Sequence, residues 1–466
     1  MGYGIYGLIL LVLVGYVIVR WMSRRTPQRP KVWDEDGQLR SADNPAAPAV
    51  PVDPELVRQV EMFQTGGATP GINRIGTTQQ VRVALGQRGY DVRIKPGLLD
   101  EMGHATRAVA PGRAAFIITD SNVRPLYADR ASASLAAAGF EVRVASFPAG
   151  EMHKTLLTVS TLFDQLFAAP TPPDRDSVVV ALGGGVVGDV AGFVAATLLR
   201  GVTLVQAPTT LLADVDSSVG GKTGVDHSAG KNLIGAFHQP RAVLIDPQVL
   251  ATLPPVEFSS GLAECVKHGI IRDGELIPWI EANAEHLRPR SGGAALPPEG
   301  AQRLAELIAR NVAIKAAIVA ADEHEQDKGP RSHLNFGHTV GHAIETAYGF
   351  GGGGEGDYLR HGHCVALGMV GANRIAVARG LLSGDDAARV EALLIRLGLP
   401  VRLAGLSADS LLGIMRHDKK ARAGRLRFVL PAVRLGCVAV HEDVLEVEIR
   451  SAIEYLARGP GSTGTV

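Results

Sequence analysis

Apolar positions along the chain fall into three regimes. Residues 2–19, GYGIYGLILLVLVGYVIV, carry no charge. As a helix this run would be about 27 Å long, close to the ~30 Å hydrocarbon thickness of a bilayer. Arg20, Trp21, Arg24 and Arg25 follow at once, an interfacial aromatic within a basic cluster. That flank predicts that the C-terminal bulk lies on the cytoplasmic side. A cleaved signal peptide would need its charges before the run and a small-residue cleavage site after it, and neither is present. A buried core helix seldom opens a chain with so long an uncharged stretch. The expectation is a transmembrane anchor over 1–25. Residues 26–75 then read as a Pro-rich flexible tether, because Pro27, Pro30, Pro45, Pro48, Pro51 and Pro54 interrupt any helix.

The second regime alternates short apolar runs with helical stretches. Arg113–Asp120, Glu141–Phe147, Ser177–Gly185, Val202–Ala207 and Ala242–Asp246 read as strands, and the segments between the earlier ones have helical character. Apolar strands separated by helices imply a parallel sheet covered on both faces, with ligands bound beyond the carboxyl ends of the strands. In the third regime, from Val256, strand signals nearly vanish and 3.6-residue periodicity dominates; Arg425–Pro431 is the one late strand expected. The predicted architecture is a Rossmann-like α/β domain over 76–255, an all-α domain over 256–458 and a tail over 459–466. The cleft between the domains is the default site.

Composition narrows the functional classes. Lys+Arg 47 against Asp+Glu 47 gives no net charge, which argues against a nucleic-acid partner held by bulk charge. Cys265, Cys364 and Cys437 are too few and too scattered for a disulfide framework or a thiolate zinc site. Glycine, 55 of 466 residues, is in excess and clustered, and the clusters carry the chemistry.

VVVALGGGVVGDVAGFVA, residues 178–195, runs from a strand through Gly183, Gly184, Gly185 and Gly188 into a helix. Glycines let backbone amides approach a phosphate at a helix N-terminus. A tight turn that merely needs glycine is the rival explanation. Asp189 suits ribose hydroxyls and favours the nucleotide. Residues 209–237 form a loop rich in Gly, Ser and Thr in which Lys222 and Lys231 each follow a glycine, compact charges suited to phosphate. Glu264, His338, His342, His361 and His363 are donors of the kind that hold a zinc-type ion with an open position. Spacing alone does not say which histidines bind. Lys315, Glu325, Arg331 and Asn335 cluster before or within the histidine motif, and 417–428 is a further basic loop.

Together, LGGGVVGDVAGFVAATLLRGVTLVQAPTTLLADVDSSVGGKTGVDHSAGKNLIGAFHQP, SGLAECVKHG, LNFGHTVGHAIE, HGHCVALGM and HDKK closely resemble the 3-dehydroquinate synthase family of sugar phosphate cyclases, in the same order, across about residues 76–455. The resemblance implies NAD, one divalent metal (zinc or cobalt), a sugar phosphate substrate and a homodimer. It implies metal ligands Glu264, His338 and His361, with His342 a hydrogen bonder or base. It places NAD on Glu151, Lys154, Gly185, Val186, Val187, Gly188, Asp189, Thr209, Thr210, Lys222, Lys231, Val249, Leu250, Ala251 and Thr252. It places substrate on Asp216, Lys222, Asn232, Lys267, Lys315, Glu325, Arg331, Asn335, Lys419 and Lys420, with Arg200 reaching the neighbouring subunit's phosphate. The implied reaction cyclises 3-deoxy-D-arabino-heptulosonate 7-phosphate to 3-dehydroquinate by transient oxidation, β-elimination of phosphate, reduction and aldol closure.

Three departures stand out. His363 occupies a position where the family has glutamate. EHEQDKGPR carries two extra residues, so Asp327 competes with Glu325 as the acidic contact. GFGGGGEGDYLR is an insertion between the histidine motifs. A cyclase of secondary metabolism, or a tethered nucleotide-binding homologue without turnover, are the alternative readings. The near-complete set of polar site residues disfavours the second.

Overall fold

The computed structural model describes residues 71–458, apart from 288–292, 327–328, 350–358 and 422–425, together with two short strands, β1 (Lys31–Trp33) and β2 (Leu39–Ser41). The expected membrane span, Asp327, residues 350–358 of the insertion and the tail lie outside the described residues. Among the described residues no helix is long and apolar enough to cross a membrane. Within the expected tether β1 pairs antiparallel with β2. Its last residues, β3 (Asn73–Ile75), already belong to the main sheet, before the expected boundary at 76.

That sheet has eight strands in the order β3-β4-β5-β12-β9-β8-β6-β7. The five expected strands are present as β6 (Ala114–Asp120), β7 (Glu141–Phe147), β8 (Val178–Gly183), β9 (Thr203–Pro208) and β12 (Ala242–Ile245). β8 stops two residues short of the expected end because Gly185 already opens a helix. Two further strands, β4 (Thr78–Val83) and β5 (Tyr90–Ile94), extend the sheet. From β5 through β7 neighbours run parallel, whereas β3, β4 and β5 pair antiparallel.

Side chains alternate across the sheet as the strand period demands. Val178, Val180 and Leu182 of β8 pack with Tyr127 and Leu135 of helix α2 (Arg124–Ala137) and with Met102 of α1 (Met102–Arg107). Val179 and Ala181 pack on the opposite face with α3 (Leu156–Phe167) and α4 (Gly185–Thr197). The chain leaves β6 toward β7 on one side and β8 toward β9 on the other. The strand order therefore reverses between β6 and β8, and a crevice opens beyond their carboxyl ends.

The segment 209–237, expected as a loop, is instead a short π-turn (Ala213–Ser217) followed by a hairpin of β10 (Lys222–His227) and β11 (Gly230–Phe237). Its Val225 enters the core shared with α4, which supplies the apolar support its polar sequence conceals.

The second half is helical: α5 (Pro255–Ile271), α6 (Leu276–Asn283), α7 (Pro298–Ala321), α8 (His338–Ile344), α9 (His361–Ala378), α10 (Gly384–Arg396), α11 (Ala408–Ala421) and α12 (Glu446–Ala457). It is not all-α, because β13 (Phe428–Ala432) and β14 (Arg434–His441) form an antiparallel pair. One continuous core joins it to Val81, Val83, Tyr90, Val92, Ile94, Val243 and Ile245 of the sheet. The two halves thus share a core, and α5 is buried throughout Phe258–Ile271.

Helices α5, α8 and α9 meet at backbone distance. A Cβ on Gly362 of α9 would overlap the Ser260 carbonyl of α5, and one on Gly368 would overlap the Gly337 carbonyl that opens α8. A Cβ on Gly341 would sit 2.9 Å from the Cys364 carbonyl oxygen. Gly337 itself is left-handed, with φ +77°. Such contacts exclude any side chain, so α8 and α9 are held in one relative position. We expect Gly368→Ala to lower stability by ~1–3 kcal/mol, the usual cost of overpacking. The check is thermal unfolding followed by circular dichroism, and an unchanged midpoint would show that the contact yields.

Candidate active site

The nucleotide-type turn lies at the carboxyl end of β8. Helix α4 starts with Gly184 at its N-cap, where no side chain caps the first turn. Its first amides are therefore left for an acceptor other than a cap side chain. A Cβ on Gly183 would lie 2.5 Å from Val187, and one on Gly184 would lie 2.9 Å from Thr210. Close strand–helix packing thus demands these two glycines, whereas the φ range that a tight turn would need glycine for is not used, neither having a positive φ. Val187 is fully buried, packed beneath the turn against Gly183. Val186 and Gly188 follow on the same first turn of α4.

Asp189 is taken up within the protein. Its Oδ2 lies 2.6 Å from Lys154 Nζ, and Lys154 also donates to Asn232 Oδ1 at 2.5 Å. Burial pushes the Asp189 carboxyl up even with Lys154 beside it. Asn232, expected on substrate, is thereby tied to the nucleotide side. It adopts left-handed φ +56°, with its amide donating to Asp226 Oδ1 at 2.7 Å. The Thr209 amide donates to the Gly183 carbonyl at 3.0 Å, and Thr210 Oγ1 accepts from the Ala213 amide at 3.2 Å. Val249, Leu250, Ala251 and Thr252 lie on the 3-10 turn Pro247–Thr252. Tyr127 secures that turn, its hydroxyl 2.8 Å from the Val249 carbonyl and 2.6 Å from Thr252 Oγ1. A small cavity between Leu98, Leu182, Thr209, Asp246 and Val249 joins this turn to the strand ends.

The candidate metal centre forms where α5, α8 and α9 cross. Glu264 Oε1 is 3.9 Å from His338 Nε2 and 3.6 Å from His361 Nε2. It is fully buried and has no hydrogen-bond partner. Donor atoms of the three residues all lie within 4.8 Å of one another. His338 Nδ1 is 3.0 Å from the Phe336 carbonyl. A carbonyl only accepts, so Nδ1 carries the proton and the Nε2 lone pair faces Glu264. Burial, with the Lys267 ammonium nearby, pushes His338 down to about 3. His361 rises to about 9 although burial opposes it, because the Glu264 and Glu345 carboxylates face its two ring nitrogens at 3.6 and 3.1 Å. Burial also opposes charge on Glu264, yet Lys267 and the histidines hold it well below the usual carboxylate range. A buried anionic oxygen, a neutral imidazole and an imidazole that exchanges its proton form a donor set that suits a divalent cation with an open position.

The pair read as His-x-x-x-His divides. His342 groups with Glu345 and His361, not with Glu264. His363 Nε2 points to Ser259 Oγ at 3.2 Å, away from the centre.

Around the centre, lysines pair with carboxylates. Lys267 pairs with Glu264, and Lys315 Nζ lies 2.5 Å from Asp216 Oδ1. Lys315 holds the Asp216 carboxyl below its usual range against the effect of burial. Lys222 pairs with Glu325, whose φ is +54°. The buried Arg331 guanidinium donates to the Glu323 carbonyl and, at 3.2 Å, to the Gly220 carbonyl. Asn335 ends the 3-10 turn Pro330–Asn335 that leads into α8. The side chains of Lys419 and Lys420 lie outside the described residues. Arg200 is not brought to the site within one chain. It is exposed at φ +69°, at the amino end of β9, whereas the crevice lies beyond the carboxyl ends.

Glu345 went unnoticed in the sequence. It binds Lys231 through Oε1 at 3.0 Å and His361 Nδ1 through Oε2 at 3.1 Å. Its spacing, seven after His338 and three after His342, puts it on their helical face and could have revealed it.

The arrangement, a phosphate-type turn on a parallel sheet packed against a helical cation centre, is that of the sugar phosphate cyclases. A structure of 2-deoxy-scyllo-inosose synthase complexed with carbaglucose-6-phosphate, NAD+ and Co2+ matches with TM-score 0.69 and 27% identity, covering 81% of this chain and 99% of that one. A structure of 2-epi-5-epi-valiolone synthase from Streptomyces hygroscopicus subsp. jinggangensis 5008, with NAD+ and Zn2+ bound, matches with TM-score 0.67 and 30% identity, covering 79% and 96%. Residues 144–260 match the 3-dehydroquinate synthase N-terminal family model and 261–421 the C-terminal one. The 3-dehydroquinate synthase of Desulforamulus reducens is 46% identical over 374 residues, 80% of this chain and 99% of that protein. The chain belongs to the 3-dehydroquinate synthase family.

If the crossing helices build the cation centre, Glu264→Ala, His338→Ala and His361→Ala should each weaken zinc retention by more than ~100-fold, beyond the ~10–100-fold that loss of an outer partner costs. His342→Ala and His363→Ala should stay within that outer range. Metal content after dialysis reads the result, and equal loss for His342 would move the centre to the His342–Glu345–His361 set.

Proposed function

We propose that the protein is a 3-dehydroquinate synthase, a carbon–oxygen lyase that converts 3-deoxy-D-arabino-heptulosonate 7-phosphate to 3-dehydroquinate and phosphate. The observation that carries this reading is Glu264 Oε1, buried without a hydrogen bond and faced by two imidazole nitrogens, in a chain of this family. When bound, NAD takes up and returns a hydride, and zinc or cobalt draws charge from the substrate's alcohol and ketone oxygens. The NAD+ and Zn2+ or Co2+ of the cyclase structures, and the sugar phosphate analogue of one of them, support these assignments.

In this reading Glu264, His338 and His361 hold the cation. Glu151, Lys154, Gly185 to Asp189, Thr209, Thr210, Lys231 and Val249 to Thr252 hold the nucleotide. Asp216, Lys267, Lys315, Asn335, Lys419 and Lys420 orient the substrate, while Asn232 holds Lys154 on the nucleotide side, and His342 moves a proton at its imidazole nitrogen. The phosphate meets Lys222, which exchanges Glu325 for a stronger acceptor. Arg331 keeps a buried positive charge behind the Gly220–Gly221–Lys222 turn. Arg200 joins from the second subunit of a homodimer, in keeping with its place at the far end of the sheet. These cations stabilise the charge that develops as phosphate leaves.

Incubated with the heptulosonate phosphate, NAD and zinc, the purified protein should release one phosphate for each dehydroquinate formed. Absence of the carbocycle would refute the assignment. Arg331→Ala should retain zinc and NAD and lose roughly 10²–10³-fold in turnover, the scale of one lost charge-stabilising donor. Loss of the metal in that variant would instead assign Arg331 to the fold.

Separately from the family, the uncharged run 2–19 and the basic cluster after it read as a membrane anchor for a catalytic body in the cytoplasm. The full chain should sediment with membranes and resist a high-salt wash, since apolar insertion is not screened by ions. A chain beginning at Gly71, which retains β3, should stay in the supernatant with undiminished turnover. Release of the full chain by salt alone would leave no anchor.

A further inference from the structure

Two parts of the site converge on one side chain outside both assigned sets. Glu345 opens the π-turn Glu345–Gly349 directly after α8. Its Oε2 accepts from His361 Nδ1 at 3.1 Å, on the far side of the ring from Glu264. Its Oε1 accepts from Lys231 Nζ at 3.0 Å, and Lys231 reaches on to Glu151 Oε1 at 3.5 Å. A continuous chain of contacts therefore runs from the candidate cation centre through His361, Glu345 and Lys231 to Glu151. Its last two members come from the hairpin and the turn assigned to the nucleotide.

We infer that Glu345 is a positioning residue that couples the cation and nucleotide sites, so that occupation of either tightens the other. A carboxylate suits this task because both of its oxygens only accept. It can fix the Nδ1–H tautomer and ring angle of His361 and hold the Lys231 ammonium at the same time. A cation on His361 Nε2 immobilises the ring and, through Glu345, sets Lys231 in place before nucleotide arrives. Ordering already supplied by the first ligand is not required of the second, which gives positive coupling. Linkage makes the effect equal in both directions. An amide at 345 cannot serve both partners. With the side chain in the same place its oxygen faces one of the two donors, while its NH2 turns a donor toward the other.

The inference rests on the NAD and divalent-cation reading above, and the experiment separates the two. NAD binding to the full-length protein is measured by calorimetry, zinc-loaded and after chelation. In the wild type, chelation should weaken NAD by at least ~5-fold, the lower end of ordinary coupling between sites. In Glu345→Gln the ratio of the two dissociation constants should fall to near one. Zinc affinity should also drop within the ~10–100-fold range typical of a lost outer partner. Lys231→Gln, which leaves His361 and Glu345 in place, should abolish the ratio while sparing zinc affinity, and it provides the test should Glu345→Gln not fold. A wild-type ratio of one, or a ratio preserved in the variants, overturns the coupling. Failure of the wild type to bind NAD or zinc at all overturns the functional reading instead.

Discussion

The site depends on how closely three helix backbones approach. Gly362 lies on the Ser260 carbonyl, Gly341 lies against Cys364, and Gly368 lies on the Gly337 carbonyl. None leaves room for a methyl group. Ordinary helix pairs stand 8–10 Å apart with side chains between them. Here the backbones themselves are the contact, so the angle and register of α8 and α9 against α5 are set without adjustable side chains. Glu264, His338 and His361 project from this crossing. Donor atoms in one small volume follow from backbone packing, and the precision that cation binding demands is built into the fold.

The second requirement is charge balance in a buried place. Lys154, Lys267 and Lys315 are 4%, 1% and 6% exposed, and each is paired, with Asp189, Glu264 and Asp216 respectively. A buried ammonium without a carboxylate costs several kcal/mol, and removing one member of such a pair strands the other. The lysines are therefore part of the fold as well as candidates for the chemistry. The same pairing explains why Asn232 and Asp189 turn inward on Lys154, although residue type alone suggests that they face ligands. Lys222 is the contrasting case. Its partner Glu325 lies at the surface, so the pair can open at little cost.

Much of this was legible in the sequence, for physical reasons that differ by element. The parallel strands β6, β8, β9 and β12 are apolar runs because both of their faces are covered. β4 and β5 are visible only as alternation, with Val81, Val83, Tyr90, Val92 and Ile94 inward and Arg82, Asp91 and Arg93 outward. The β10–β11 hairpin resisted reading because its support is α4, distant in sequence, where Gly192 admits Thr223. Motif order identified the family, and Glu264, His338 and His361 do meet. The same order could not disclose that Arg331 turns its donors onto backbone carbonyls, or that Glu345 links Lys231 to His361. Those are facts of three-dimensional neighbourhood between segments that have no fixed spacing.

In the proposed site the helix crossing supplies one carboxylate and two imidazoles to a single cation. X-ray absorption at the zinc edge of the full-length protein tests it without relying on any substitution. The expected shell has two imidazole nitrogens at about 2.0–2.1 Å, with the remainder oxygen from Glu264 and solvent. A third imidazole in the shell would mean that His342 is a ligand. A shell without imidazole would mean that the crossing of α5, α8 and α9 does not build the metal centre.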